Sequence, residues 1–144
     1  MFVVDTNILV YAANEDADGH GVCRGLVESW CNQTGVWHTT WGILYEFLRV
    51  VTHPRVLPRP WSTNEAWSFV ESLLASPGLT VLTETARHQE VAAGFLDEHP
   101  FVSGNLLFDA RTAILMREHG IERVYSRDSD FHKFSSVKVI DPLK

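Results

Sequence analysis

The chain has 144 residues, 45% hydrophobic and 21% charged, with eighteen acidic against twelve basic side chains and a formal net charge of −6. This is the size of one domain, expected to span 1–144, and no apolar run approaches the roughly 20 residues of a membrane helix, which excludes membrane spanning and disorder. Met1 runs straight into Phe2-Val3-Val4 with no leader pattern, so a cytoplasmic protein is expected.

Residues 2–4 form a short apolar strand that ends in the turn chemistry of Asp5-Thr6-Asn7. Cys23, Leu26, Val27, Trp30 and Cys31 fill one helical stripe, which predicts a helix over 19–32. Eight residues along a helix separate two thiols by roughly 12 Å, too far for a disulfide, so both cysteines read as small hydrophobic residues in a reducing compartment. A second strand is expected over 36–39, and Thr40 then caps a helix over 41–52 that ends at His53-Pro54. Ala66, Phe69, Val70, Leu73 and Leu74 predict a further helix, with Thr63 as its cap and Pro77-Gly78 as its stop. A strand over 79–82, helices over 84–98 and 106–118, and strands over 122–126 and 137–140 complete the chain. Strands alternating with helices predict right-handed βαβ units, hence an α/β fold with a mainly parallel sheet of about five strands covered on both faces.

Several carboxylates interrupt this pattern. Asp109 takes the i+3 slot of the stripe Leu106, Asp109, Ala110, Ala113, Ile114, and Glu46 takes the same slot in Ile43, Glu46, Phe47, Val50, Val51. A competing stripe through Trp41, Leu44, Tyr45 and Leu48 makes the second helix apolar nearly all round, so it is expected to be buried, and a carboxylate there needs a partner or a metal. Asp5 stands at the carboxyl end of the first strand, and Asp128 and Asp130 follow the strand ending at Ser126, at the edge where open α/β sheets place their ligand crevice. Crowded carboxylates raise one another's pKa unless a cation neutralises them, and oxygen donors without cysteine or a histidine pair favour Mg2+, or Mn2+ in its place, over zinc. Each acid also has a plain alternative: an Asx turn at Asp5, a helix-dipole charge at Asp109, a Glu46–Arg49 pair at i+3, a solvated turn at Asp128 and Asp130.

The order Val4-Asp5-Thr6-Asn7, Glu46, Leu107-Phe108-Asp109-Ala110 and Ser126-Arg127-Asp128-Ser129-Asp130-Phe131 resembles the PIN-domain ribonucleases, specifically the VapC-type toxins of type II toxin–antitoxin pairs. The likeness runs over essentially the whole chain. It implies a three-layer α/β/α PIN-like fold and an Mg2+-dependent endoribonuclease that acts on tRNA, rRNA or mRNA and inhibits translation. Asp5, Glu46, Asp109 and Asp128 would then be catalytic and hold the metal, with Asp130 as a further ligand. It also implies a homodimer and a VapB-type antitoxin. Asn7, Ser126, Arg111 and Arg127 are candidate substrate contacts, and Arg49, Arg55, Arg59 and Lys133 further phosphate contacts.

Net negative charge ordinarily argues against a nucleic-acid partner. With the five clustered acids set aside, thirteen acidic face twelve basic residues, so the acidity is largely the site itself. Among the tryptophans, Trp30 and Trp41 are expected to be buried and Trp61 exposed. A phosphotransferase of the haloacid-dehalogenase type would want an acid at Asn7, and a receiver domain would want a lysine well before Lys133, so neither fits. The remaining alternative is a PIN-like module that binds RNA or a protein without cleaving it. Asp5→Asn or Asp109→Asn is expected to abolish metal-dependent cleavage with little loss of fold.

Overall fold

The computed structural model describes residues 1–144. Five strands, β1 (Val3–Val4), β2 (Trp37–Thr40), β3 (Leu79–Leu82), β4 (Arg123–Tyr125) and β5 (Lys138–Ile140), form one sheet in the order β3-β2-β1-β4-β5, and every pairing is parallel. The sheet is thus wholly parallel, an arrangement that requires both of its faces to be covered. Helices α1 (Thr6–Ala13), α2 (His20–Asn32), α3 (Trp41–Val51) and α4 (Thr63–Leu74) lie on one face, and α5 (His88–Glu98) and α6 (Leu106–Glu118) on the other. Right-handed crossovers dictate this division, because the chain moves outward from β1 through β2 to β3 and then crosses back to β4. The reversal falls between β1 and β4, and their carboxyl ends open the crevice described below.

α1 lies where only turn chemistry was expected. Asp5 is its N-cap, accepting from Thr6 N at 2.8 Å, and Ile8, Leu9, Ala12 and Ala13 are buried. Its residues from Ile8 to Ala13 are all apolar, so no polar face reveals the helical period. Thr40 caps α3 as expected, accepting from Ile43 N at 3.1 Å. Helix α4 is capped one residue earlier than expected, by Ser62, whose hydroxyl accepts from Glu65 N at 3.1 Å and donates to the Glu65 carboxylate at 3.0 Å. Helix α5 starts at His88 rather than 84, because residues Thr83–Arg87 are tied to α6 instead.

That tie centres on Glu118, whose side chain is fully buried. It accepts from Thr85 N at 2.8 Å, from Thr85 Oγ1 at 2.6 Å and from the His88 ring, while His119 Nε2 bonds Thr83 O at 2.8 Å. Glu118→Ala would remove these bonds; water can replace part of them because Thr85 is exposed, so a loss of about 1 kcal/mol is expected, read as a lower urea midpoint at unchanged m-value.

The core joins Val3, Val4, Val124 and Trp37 of the sheet to Phe47, Phe95, Leu115 and Met116 of the helices. Gly78 sits where β2 and β3 begin to pair: Trp37 N donates to its carbonyl at 3.0 Å, and a Cβ there would lie 2.1 Å from Gly35 O. Trp30 is buried as expected, but Trp61 is half-buried against Phe47 and Phe69, and Trp41 is exposed. Cys23 is buried and Cys31 half-buried, both as free thiols. No helix is long and apolar enough to cross a membrane.

Candidate metal centre and its crevice

The chain reaches the switch point through backbone pairing: Asp5 N donates to Tyr125 O at 3.0 Å, which fixes the end of β1 against the end of β4. Asp5 is only 7% exposed. Its Oδ1 caps α1, and its Oδ2 accepts from Ser126 Oγ at 2.8 Å and from Asn7 Nδ2 at 3.2 Å. Ser126 Oγ in turn accepts from Asp128 N at 2.9 Å, Asn7 Oδ1 from Arg127 N at 3.1 Å, and Asp128 Oδ1 from Asp130 N at 2.9 Å. A continuous hydrogen-bond path therefore runs from Asp5 to Asp130. Asn7 and Ser126, expected as substrate contacts, have their polar groups occupied within this path.

Asp109 enters from the first turn of α6. Carboxylate oxygens of Asp109, Asp128 and Asp130 all lie within 4.8 Å of one another, and all three residues are half-buried. Burial pushes Asp109 up to about 7, with repulsion from Asp128, Asp5 and Asp130 adding to the rise and Lys133 opposing it. Burial also pushes Asp5 up to about 6; the hydrogen bonds from Ser126 and Thr6 oppose this, and the charges of Asp128 and Glu46 reinforce it.

Glu46 lines the same crevice from α3, but its side chain is 47% exposed and takes two hydrogen bonds from Arg49, the longer at 3.1 Å. The expectation of a buried helix with Glu46 in its core fails for a physical reason. Ile43, Leu44, Phe47 and Val51 suffice to cover the sheet, while Trp41 and Tyr45 face the crevice.

Most of the expected phosphate contacts are paired with carboxylates. Arg49 bonds Glu46, Arg59 Asp16, Arg111 Glu84 at 2.9 Å, Arg127 Asp141 at 3.3 Å, and Lys133 Asp130 at 2.9 Å. The Arg127 guanidinium also lies over the Tyr11 ring, 5.7 Å from its centroid. Arg111 and Arg49 line the crevice, whereas Arg127 sits beside it.

The crevice encloses about 1140 Å³ and brings together Asp5, Glu46, Asp109 and Asp128, with Asp130 next to Asp128 at its margin. Sequence reasoning missed its apolar lining, above all Tyr45 and Phe108. The signal for Phe108 was present, since it falls outside the buried stripe of α6 while standing beside Asp109. The donor set is all oxygen, crowded and partly desolvated, and at neutral pH it needs either a retained proton or a cation; it fits a hard divalent metal.

A wholly parallel sheet in this order, with carboxylates gathered at its switch point, is the architecture of the PIN domain, and the chain belongs to that family: the PIN domain model matches residues 2–137. The chain is 32% identical over 145 residues to Ribonuclease VapC48 of Mycobacterium tuberculosis, covering 96% of this chain and 95% of that one. It is 33% identical over 148 residues to Ribonuclease VapC33 of the same organism, at 100% and 99% coverage. Among solved structures, the fold matches Mycobacterium tuberculosis VapC20, a sarcin–ricin loop cleaving toxin, with a TM-score of 0.66, 23% identity and coverage of 92% and 93%. It matches VapBC2 from Rickettsia felis, bound to a DNA fragment from its promoter, with a TM-score of 0.66, 15% identity and coverage of 96% of both chains.

Proposed function

We propose that this chain, as one PIN domain over 1–144, is a metal-dependent endoribonuclease and the toxin of a VapBC-type pair, and that it inhibits translation by cutting a structured RNA of the translation machinery. The observation that carries this reading is the group of Asp109, Asp128 and Asp130 oxygens within 4.8 Å, next to buried Asp5. The curated relatives named as VapC ribonucleases support the choice of RNA.

In this reading Asp109, Asp128 and Asp130 hold the metal, Asp5 stands beside them, and Mg2+ is the ion, with Mn2+ as a substitute. When bound, a divalent ion neutralises the scissile phosphate and lowers the pKa of the attacking water. Asp5 fixes the geometry through Ser126 and Asn7, so Asp128 keeps its orientation without rearrangement as charge develops. Glu46, across the crevice, would orient the water or hold a second ion while still paired with Arg49. Asp109, whose pKa burial raises, would hold the ion as the deprotonated carboxylate.

The partner would be a VapB-type antitoxin, a reading supported by the VapBC2 neighbour; it would cover this crevice, and the toxin itself would be a cytoplasmic homodimer. The test is cleavage of a panel of structured RNAs, including tRNAs, by purified protein in Mg2+, Mn2+ or EDTA. Cutting that requires metal is expected. RNA binding that ignores EDTA, without any cutting, would replace this reading with that of a non-cleaving module.

A further inference from the structure

Resting on the nuclease reading above, we propose that Tyr45, Trp41 and Phe108 form the substrate-holding surface of the crevice, taking unstacked bases of single-stranded RNA beside the acidic centre. They would supply the binding that basic side chains supply in most nucleic-acid sites.

The charges in the crevice are the first observation. Its two arginines, Arg49 and Arg111, are paired with Glu46 and Glu84, while Asp5, Glu46, Asp109 and Asp128 share the same walls. An RNA backbone entering here meets ion pairs and carboxylates rather than free cations, so counterion release at the crevice is small. A cation at the acidic centre would hold one phosphate, which leaves the flanking nucleotides without an electrostatic hold.

The exposed rings are the second, independent observation. Tyr45 is 64% exposed and Phe108 74% exposed. Trp41 and Tyr45, one turn apart on α3, share a face, with ring centroids 6.2 Å apart and a 46° tilt. Tyr45 immediately precedes Glu46, and Phe108 immediately precedes Asp109 on α6, so the rings reach the same crevice from both of its walls. Large apolar side chains left in water at a concave site mark a binding surface. The adjacent centre acts on phosphodiesters in the nuclease reading, so the occupant that fits both rings and carboxylates is a neutral planar base attached to the phosphate being cut. Base–aromatic stacking tolerates any sequence, and each stacked base contributes on the order of a 5- to 150-fold gain in affinity.

The test is fluorescence anisotropy with two labelled dodecamers in Ca2+, one a random-sequence single-stranded RNA and the other the same backbone with every base removed. Wild-type protein is expected to bind the RNA at least about tenfold more tightly than the abasic strand. Tyr45→Ala and Phe108→Ala should each lower that ratio several-fold, and Tyr45→Phe should keep it. Both side chains are mostly in solvent, so these substitutions leave the core intact. Equal affinity for the two strands, or ratios unchanged in both alanine variants, overturns the inference, including the case in which the rings serve a protein partner instead. Cleavage of the structured RNAs by wild-type protein is read separately, so an intact nuclease with no base preference removes this inference alone.

Discussion

Asp109→Asn is expected to slow RNA cleavage in Mg2+ by at least about a hundredfold, the scale of a single group aligned on charge that develops in the transition state. It should do so without loss of secondary structure. Of the three clustered carboxylates, Asp109 is the one on a separate helix, and no hydrogen bond from the Asp5–Asp130 path ends on it. Its carboxylate is therefore free for a cation, which makes its removal the cleanest test of the proposed assignment. A second readout needs no substrate. A ligand at a hundred times its dissociation constant stabilises the native state by about 2.7 kcal/mol, so Mg2+ should raise the wild-type melting temperature by several degrees. The variant should lose most of that shift. Undiminished cleavage, or an unchanged Mg2+ shift, would remove Asp109 from the proposed metal set.

Features of this fold are legible in the sequence where their signal is local. Strand ends and first-turn acids could be read because their meaning is local: Asp5 follows an apolar run, and Asp109 sits in an apolar stripe. Both came to the crevice, as did Glu46 and Asp128. Helix α1 could not be read, because a short segment with no polar face shows no period. The start of α5 was also missed: Glu118, 33 residues beyond Thr85, takes over the loop's donors, a tertiary effect absent from any window around 84. Glu46 failed in a different way. Periodicity gave two stripes for α3, and which one faces the sheet is decided by packing on β2, so the helix read as buried all round while Tyr45 stands in solvent. The pairing of the arginines was invisible for the same reason, since Arg111 meets Glu84 across 27 residues. That pairing bears on the proposed function, because it offsets the charge of both arginines that line the crevice.

Without metal, the acidic centre should destabilise the fold at neutral pH, and the two principal acids should differ when neutralised. Asp109 and Asp5 have folded pKa values near 7 and 6, above the ordinary 3.8. The unfolded chain therefore releases these protons first. Between about pH 4 and 7 the native state binds more protons, so their contribution is fully present below about pH 4 and is lost as pH rises through 6 and 7. Asp109→Asn removes its share of this loss. In EDTA at pH 8 the variant should be more stable than wild type by about 1–2 kcal/mol, a figure reduced for solvent screening because Asp109 is only half-buried. The gain should shrink toward zero as pH falls to 4, and comparing the two proteins at each pH cancels every other titrating group. Asp5→Asn should show no such gain. Its new amide would present donors to the Asn7 amide, and Ser126 Oγ, already accepting from Asn7 and Asp128, would lose the acceptor for its own proton. At Asp5, relief of burial and repulsion is opposed by loss of these bonds, whereas at Asp109 the same relief is opposed only by the weaker attraction of Lys133. Urea unfolding at pH 8 and pH 4.5 reads the difference; an Asp109→Asn protein less stable than wild type at pH 8 would mean that its carboxylate supports the apo fold.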